Sequence, residues 1–246
     1  MDMDNGNNRH AEIDIARTAA IVLMTVYHTA FDLYAFYDFS IDPLSDDWFL
    51  LERITANLFL LLVGVSFAVS SGRRQARGET WMMIFRNSFR KSLLVLAGAM
   101  LVSLATYFMV GPLYVRFGIL HLIAVAIFLL PILLPLREWN ALLAVPIFFL
   151  GRIVQMRTVT TSLLLPFGLV PAEFVSVDYF PLFPWLSAIL LGFAMGNLLY
   201  NRRMLRWHLP NTNITRFLGF PGRHSLVIYL VHQPIVYAVL WSMFHA

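Results

Sequence analysis

The first long apolar segment of the chain, residues 13–37, reads IDIARTAAIVLMTVYHTAFDLYAFY. A helix needs about 20 predominantly apolar residues to cross the hydrocarbon core of a bilayer, and this segment is long enough to do so. It is too long for the apolar region of a secretory signal, and it lacks a small-residue cleavage site. The segment therefore predicts a membrane-spanning helix over residues 15–36 rather than a cleaved leader.

The composition of the whole chain is also that of a membrane protein. Hydrophobic residues make up 59% of its 246 residues, and charged residues make up only 13%, against roughly 25% in soluble domains. A soluble core of this size cannot hold so much apolar surface, whereas a lipid-facing surface needs no polar cover. The absence of cysteine excludes disulfides, thiolate metal ligands and a thiol nucleophile. The net charge of +4 does not indicate nucleic-acid binding, because the basic residues lie between apolar segments.

Hydropathy predicts an all-α protein with about seven membrane spans, at residues 15–36, 49–70, 92–110, 117–136, 140–155, 180–200 and 225–244. Residues 162–171 are apolar but too short to span and are interrupted by Pro166, Gly168 and Pro171, so we expect a re-entrant or interfacial loop there. Residues 81–90 mix aromatic and basic side chains and predict an interfacial helix before the third span. No soluble domain fits, and we expect one transmembrane domain over residues 1–246.

The distribution of Lys and Arg predicts the orientation, because these residues are enriched in cytoplasmic loops. With the N-terminus inside, four of the 18 basic residues fall outside, namely Arg53, Arg116, Arg152 and Arg157. The other fourteen fall on the cytoplasmic side: Arg9, Arg17, Arg73, Arg74, Arg77, Arg86, Arg90, Lys91, Arg137, Arg202, Arg203, Arg206, Arg216 and Arg223. The C-terminus is then extracytoplasmic.

Polar side chains recur inside or at the mouths of six predicted spans, where ionisable residues are costly and by default indicate function. All of them are predicted to lie in one layer of the membrane, between its midplane and its outer surface. We expect them to line one water-accessible cavity. The residues are His28, Asp32, Arg53, Asn57, Arg116, His121, Arg152, Asp178, Tyr179, Tyr229, His232 and Gln233.

The first predicted span carries a histidine and a carboxylate, His28 and Asp32, at a spacing that favours their interaction. Asp32 lies one helical turn after His28, where a carboxylate can hold the imidazole tautomer and stabilise the imidazolium. His28 is therefore predicted to be a general base, and Arg53 with Asn57 to stabilise an oxyanion. No metal is expected in the protein, because the histidines and carboxylates lack the spacing of metal ligands. Single members also have structural interpretations: a histidine bonded to a carbonyl, an Asp32–Arg53 ion pair, or an interfacial Arg152 or Asp178.

Three segments of the chain resemble membrane acyltransferases of the acyltransferase-3 type. Residues 13–28 resemble their first span, in which an Asp, an Arg and a His recur, and Arg17 and His28 match these positions. Residues 58–66, LFLLLVGVS, and 225–234, SLVIYLVHQP, resemble their second and last spans. Residues 116–121, RFGILH, and 178–185, DYFPLFPW, are most similar to the branch related to the catalytic domain of heparan-α-glucosaminide N-acetyltransferase.

This resemblance implies transfer of an acyl group, often acetyl, from cytoplasmic acyl-CoA to a sugar or envelope glycoconjugate across a bacterial cytoplasmic (inner) membrane. It implies that Arg17 and the arginines of the 73–91 loop meet the CoA phosphates, with Arg73, Arg74 and Arg90 as candidates. His28, Asp32 and His121 are then the catalytic candidates. The substrate-binding candidates are Arg53, Asn57, Arg116, Asp178, Tyr179 and His232. The loop at 38–48 contains no His, which makes His28 the better candidate for the active histidine.

Two other functions fit the same polar layer. A transporter or flippase would use it as a translocation path, and broken helices in paired halves would favour that function. A non-catalytic membrane partner of an envelope enzyme would need no chemistry at all. Binding of acyl-CoA distinguishes both from the acyltransferase. The expected partners are the lipid bilayer, acyl-CoA and a glycan or glycolipid acceptor, with self-association left open.

Overall fold

The computed structural model describes residues 10–43, 45–205, 208–210 and 212–244. These residues are predominantly helical, and their only β-pairings are two isolated bridges, Phe117 with Tyr179 and Thr158 with Val170. The α-helices are α1 (Ala11–Tyr37), α2 (Asp46–Ala76), α3 (Trp81–Val110), α4 (Ile119–Leu129), α5 (Asn140–Val154), α6 (Leu182–Gly196), α7 (Asn213–Leu218), α8 (Phe220–Arg223) and α9 (Ser225–Phe244). The predicted all-α class is confirmed.

Within the described residues, five helices are long and apolar enough to cross a membrane, so the chain is a multi-pass membrane protein. They are α1, α2, α3, α9 and α6 extended by the π-helical turn Asn197–Asn201. Helices α4 and α5 pass only together, as a pair bent by 115° at residues 130–133, with the short 3-10 helix Leu134–Trp139 leading into α5. Counted as one span, this pair gives six. The sequence predicts seven, and the difference lies wholly in residues 117–155, where α4 has 11 residues and α5 has 15.

Residues 81–90 form the first turns of α3 rather than a separate interfacial helix. The side-chain oxygen of Thr80 caps the helix by accepting the N–H of Met83. The indole Nε1 of Trp81 donates to the carbonyl of Pro131 at 2.8 Å, which places the start of α3 beside the end of α4. Residues 162–171 contain only the 3-10 helix Ser162–Phe167 and do not span, while their entry into the membrane stays a prediction.

The chain divides into two compact units. The first comprises Met1–Phe59 and Leu205–Ala246, and therefore α1, the first part of α2, and α7 to α9. In this unit α1 packs against α8 and α9. Helix α8 can approach α1 closely because its residue 222 is glycine: a β-carbon there would lie 2.0 Å from the carbonyl oxygen of Asp14. Only two residues of α9, His232 and Leu240, are buried, so most of its apolar surface is available to lipid.

The second unit, Leu60–Met204, holds the remainder of α2 and α3 to α6. Small residues allow α2 and α6 to touch backbone to backbone: a β-carbon on Gly192 would lie 2.0 Å from the carbonyl oxygen of Leu61, and one on Gly64 equally close to that of Ile189. Gly192 and Gly196 form a G-x-x-x-G pair, the pattern that brings membrane helices together by close packing. These contacts run in the same order along both helices, so α2 and α6 are parallel.

Candidate active site

The first unit brings two histidines from different helices into direct contact. The Nδ1 atom of His28 in α1 lies 3.1 Å from the Nε2 atom of His232 in α9. The other nitrogen of His232, Nδ1, lies 2.7 Å from the carbonyl oxygen of Tyr229, one helical turn back on α9. His232 is buried and His28 is partly buried. The pairing joins the first and last predicted spans within one unit.

This geometry assigns the proton positions on both rings. A carbonyl oxygen can only accept, so the Nδ1 atom of His232 carries a proton and donates it to Tyr229. In the neutral ring, the Nε2 atom of His232 must then be the acceptor. His28 consequently donates from its Nδ1 atom, and its own Nε2 atom is left with a basic lone pair. The hydrogen bonds therefore keep Nε2 of His28 unprotonated, which is the state that a general base needs.

Asp32 has a different partner from the one predicted from the sequence. The Nε2 atom of Gln233 donates to both carboxylate oxygens of Asp32, each at 2.8 Å, and Asp32 is almost completely buried. The tautomer of His28 is thus set by His232, and the predicted Asp32–His28 hydrogen bond is replaced by Asp32–Gln233. The reason is tertiary: α9 supplies an imidazole and an amide at adjacent positions, and both reach across to the face of α1 that carries His28 and Asp32.

Gln233 leaves one acceptor without a partner. Its Nε2 atom must face the carboxylate, because the amide oxygen would be repelled there. The Oε1 atom of Gln233 is then directed elsewhere, and it is buried with no hydrogen-bond partner in the described part of the chain. A buried acceptor of this kind is costly unless a donor reaches it. It therefore offers a place for a hydroxyl or amine of a substrate beside Asp32.

Arg53 and Asn57 make local contacts on α2. The guanidinium of Arg53 lies 3.5 Å from a carboxylate oxygen of Glu52 and 4.7 Å from the ring centre of Phe49. The amide nitrogen of Asn57 donates to the carbonyl of Arg53 at 2.8 Å. Both side chains are exposed. Their predicted role in binding an oxyanion therefore requires both to leave these contacts, and it stays a prediction.

A buried carboxylate holds two arginines at the start of α1. Asp14 lies 3.2 Å from the guanidinium of Arg17 through one oxygen and 3.1 Å from that of Arg223 through the other. Thr18 reinforces the junction by accepting the N–H of Gly222 at 3.0 Å. Asp14 is almost inaccessible, whereas both arginines remain about a quarter exposed. The cluster carries a net positive charge on its accessible side, which suits an anionic ligand.

In the second unit, His121 and Asp178 meet at the N-terminus of α4. The Nδ1 atom of His121 accepts the N–H of Gly118 at 3.2 Å, so its Nε2 atom carries the proton and faces Ser103 Oγ at 3.5 Å. Asp178 accepts the next N–H, that of Ile119, at 3.2 Å. Both side chains therefore satisfy otherwise unpaired donors of a helix start. Helix capping is enough to explain the burial of His121, and its catalytic role stays a prediction.

The neighbouring candidates of this unit belong to the same junction. Arg116 lies over the rings of Tyr114 and Phe174, at 5.1 and 5.3 Å, and its buried Nε atom has no hydrogen-bond partner among the described residues. Tyr179 donates to the carbonyl of Leu165 at 2.7 Å, and burial raises the pKa of this phenol to about 12, which keeps it a donor. The two motifs at 116–121 and 178–185 are therefore brought side by side.

The candidates on the α2–α3 connection are surface arginines. Arg74 and Arg77 both pair with Glu79, at 3.0 and 3.1 Å, and the hydrogen bond from Arg77 with the charge of Arg74 holds the pKa of that carboxyl below its usual range. Arg90 is exposed on α3. Binding of CoA phosphates by Arg73, Arg74 and Arg90 stays a prediction.

The candidates thus fall into two sets. His28, Asp32 and His232 meet in the first unit, as do Asp14, Arg17 and Arg223 at the start of α1, while Arg116, His121, Asp178 and Tyr179 lie in the second. Convergence of both sets on one cavity stays a prediction. The sequence analysis placed Gln233 in the polar layer without a specific role, and it did not identify Arg223 and Asp14 as site residues. Asp14 precedes Arg17 by three residues on one helix face, a spacing that could have been noticed. Nothing in the sequence pairs Arg223 with them.

Comparison with known proteins identifies the family. The family model described as heparan-alpha-glucosaminide N-acetyltransferase, catalytic, matches residues 9–234 of the chain. No curated protein and no solved structure matches it. The match runs across both compact units and includes the histidine pair, the Asp14 cluster and the α4 junction. The chain therefore belongs to the family of the heparan-alpha-glucosaminide N-acetyltransferase catalytic domain, a family of membrane acetyltransferases.

Proposed function

We propose that this protein transfers the acetyl group of cytoplasmic acetyl-CoA to a hydroxyl or amine of an extracytoplasmic sugar, with His28 as the general base. The observation that carries the proposal is the His28–His232 hydrogen bond, with the carbonyl of Tyr229 behind it. That chain of contacts leaves an unprotonated imidazole nitrogen on His28 in a partly buried place. The family supplies the reaction class and implies acetyl-CoA as co-substrate.

The proposed donor site is the Asp14 cluster. Arg17 and Arg223 would bind the CoA phosphates, because guanidinium groups form strong hydrogen bonds with phosphate oxygens. Asp14 would keep the two guanidinium groups in position. His28 follows Arg17 by 11 residues, or about 16 Å along the helix. An extended pantetheine arm can cover that distance and deliver the thioester to the imidazole.

In the reaction, Nε2 of His28 takes a proton from the acceptor hydroxyl or amine as that oxygen or nitrogen attacks the thioester carbonyl. The carbon–sulfur bond then breaks, and the proton passes from the imidazolium to the leaving thiolate of CoA. His232 stabilises the imidazolium of His28 because its Nε2 atom accepts the hydrogen bond from the Nδ1–H of His28, which keeps its proton throughout. Holding both substrates next to this base supplies the proximity contribution to the rate.

The proposed acceptor site lies at Asp32 and Gln233. The unpartnered Oε1 atom of Gln233 can accept from a sugar hydroxyl or amine, and Asp32 adds negative charge near an attacking amine. The family name specifies an α-linked glucosaminide, so an α-glucosaminide with a free amine is the first acceptor to test. Its amine would be placed between the carboxylate and the base.

The test is acetyl transfer by the purified protein in lipid nanodiscs, with radiolabelled acetyl-CoA and a panel of free and α-linked amino sugars. We expect the wild type to form an acetylated sugar and His28→Ala to lose activity by about 10²–10⁴-fold, the usual contribution of a general base. Acetyl-CoA binding by His28→Ala should be retained, since the imidazole does not touch the proposed phosphate site.

The matched control is His224→Ala. This exposed histidine lies in the same unit, and its Nδ1 atom bonds within its own turn, to the carbonyl of Phe220. Its replacement should leave transfer unchanged. Undiminished transfer by a well-folded His28→Ala protein would refute His28 as the base. Failure of the wild type to bind acetyl-CoA at all would instead favour a transporter or a non-catalytic membrane partner.

A further inference from the structure

A second group of titratable side chains lies outside the proposed acetyl-transfer site, in the first unit. His10 and Glu12 stand at the start of α1, and His208 belongs to the segment that precedes α7. The Nδ1 atom of His208 lies 3.0 Å from Oε1 of Glu12, and the Nδ1 atom of His10 lies 3.4 Å from the same oxygen. The three atoms all lie within 4.8 Å of one another.

These separations suit a small divalent ion. Zinc binds histidine nitrogen and carboxylate oxygen at about 2.0–2.2 Å in a tetrahedral arrangement. Two ligands of one tetrahedral ion are therefore about 3.3 Å apart, and the two measured nitrogen–oxygen distances lie on either side of that value. The centres of the two imidazole rings lie 5.1 Å apart, and their planes are tilted by 37°.

The carboxylate gives a second, independent indication. The other oxygen of Glu12, Oε2, is buried and has no hydrogen-bond partner in the described part of the chain. A buried carboxylate oxygen without a donor is costly, and coordination of Glu12 to a cation would compensate for it. The three side chains are also partly exposed, from 16% for Glu12 to 48% for His208, so an ion can reach them from solvent.

We propose that His10, Glu12 and His208 form a binding site for a divalent transition metal, with Zn²⁺ as the preferred ion. Two imidazoles and one carboxylate form a ligand set that zinc accepts, with water completing the coordination. This site departs from the sequence-based expectation that the protein has no metal. Its ligands come from two separated segments, so the ion would fasten the segment before α7 to the start of α1.

The alternative is a pair of histidine–carboxylate ion pairs without a metal. In that case both Nδ1 atoms carry protons and donate to Glu12. Imidazolium rings must each lose a proton before their Nδ1 atoms can bind a metal, so zinc binding to the ion-paired form releases protons and weakens as the pH falls. The two arrangements therefore differ in zinc affinity and in proton release, and neither measurement depends on acetyl transfer.

The test uses the full chain, purified with a tag that contains no histidine, stripped with EDTA and placed in nanodiscs. Titration with ZnCl₂ in a calorimeter should show one ion per chain. His208→Ala and Glu12→Gln should each weaken zinc binding by at least about 100-fold, beyond the 10–100-fold typical of residues that only support ligands. The heat of binding should change between buffers of different ionisation enthalpy, because protons are released.

His224→Ala is the control, since it removes an exposed histidine of the same unit that lies outside the cluster. It should bind zinc as the wild type does. Zinc should raise the Tm of the wild type and of His224→Ala but not of His208→Ala. Absence of stoichiometric binding in the wild type, or equal affinity in wild type and His208→Ala, would overturn the proposal. His10→Ala provides a third ligand variant should one of the others fail to fold.

Discussion

His28 and His232 are joined by a 3.1 Å contact between Nδ1 of the first and Nε2 of the second, and the Tyr229 carbonyl decides that His28 is the donor. The direction of this bond matters more than its length. Were His232 the donor, Nε2 of His28 would carry the proton of the neutral ring and could not act as a base. The backbone of α9 thus controls the chemistry available on α1.

The first prediction concerns His232 as a positioning residue. His232→Ala removes a hydrogen bond to a ring that becomes charged, a contact worth about 1.5–3 kcal/mol. We expect kcat for acetyl transfer to fall by about 10–100-fold, with KM for acetyl-CoA unchanged. His232→Gln keeps an acceptor at this position and should recover part of the loss. The measurement is steady-state transfer at saturating and limiting acetyl-CoA.

A purely structural role for His232 would give a different result. In that case alanine and glutamine variants would lose protein from the membrane in proportion to their lost activity, and transfer per folded molecule would stay constant. Normalising transfer to folded protein, measured by size exclusion, separates the two. An undisturbed kcat in folded His232→Ala would mean that His28 keeps its tautomer by another contact.

The Asp14 cluster leads to the second prediction. Arg17→Ala should raise KM for acetyl-CoA by about 10–100-fold, the loss expected for one charge-assisted hydrogen bond, while kcat changes little. Asp14→Asn should also weaken acetyl-CoA binding and lower Tm, because the buried carboxylate then no longer neutralises two guanidinium groups. Arg216→Ala is the control, as an exposed arginine of α7 in the same unit. An Arg17→Ala enzyme with reduced kcat and normal KM would contradict the proposed phosphate site.

The helical fold was predictable because lipid imposes it. Any apolar segment that crosses the hydrocarbon must satisfy its own backbone hydrogen bonds, so composition and length alone indicate helices. The path of residues 117–155 was harder to predict, because hydropathy shows where a chain is apolar but not where it turns. The 115° change of direction lies at the break between Leu129 and Leu134, and such a break leaves no mark in hydropathy.

The candidate site was predictable in its residues and only partly in its contacts. A polar side chain inside a span is conspicuous, so His28, Asp32 and His232 could be identified singly. Their partners depend on how α1 and α9 are rotated against each other, and helical spacing on α1 alone favoured Asp32 as the partner of His28. The Asp14–Arg223 ion pair joins residues more than 200 positions apart, a relationship that a single sequence does not contain.

His121 provides the third prediction, because sequence and structure assign it different roles. As a catalytic residue, its replacement would lower kcat in a stable protein. As a residue that caps α4, its replacement should cost about 0.5–2 kcal/mol of stability. From the contacts of Gly118 and Ser103 with its two ring nitrogens, we expect His121→Ala to lower Tm, with transfer per folded molecule reduced less than tenfold. Asp178→Ala should behave alike, since it caps the adjacent N–H.

A His121→Ala protein with wild-type Tm and a loss of transfer comparable to that of His28→Ala would restore the catalytic assignment. The double variant His121→Ala, Asp178→Ala sharpens the comparison. The two side chains accept hydrogen bonds from adjacent N–H groups at the same helix start, so their effects on stability should not simply add.

The last prediction concerns the number of crossings. Within the second unit, α5 runs antiparallel along α6, with Glu138 paired to Arg202 at one end and Gly151 packed on Pro184 at the other. Since α6 is long enough to span, we expect α5 to follow it across the membrane, with α4 returning beside α3 to the level of Trp81.

This arrangement gives seven crossings, whereas treating α4 and α5 as one bent span gives six. Reporters inserted at 73–80 and 137–139 should then both be cytoplasmic, and reporters at 157–161 and after the C-terminus should both be extracytoplasmic. Six crossings would instead place the last two in the cytoplasm, and five, with neither α4 nor α5 crossing, would move the 137–139 reporter outside. The reporter at 73–80 is the internal control, because all three counts place it on the cytoplasmic side when the N-terminus is inside. A C-terminal reporter on the same side as the 73–80 reporter would rule out the seven-span arrangement.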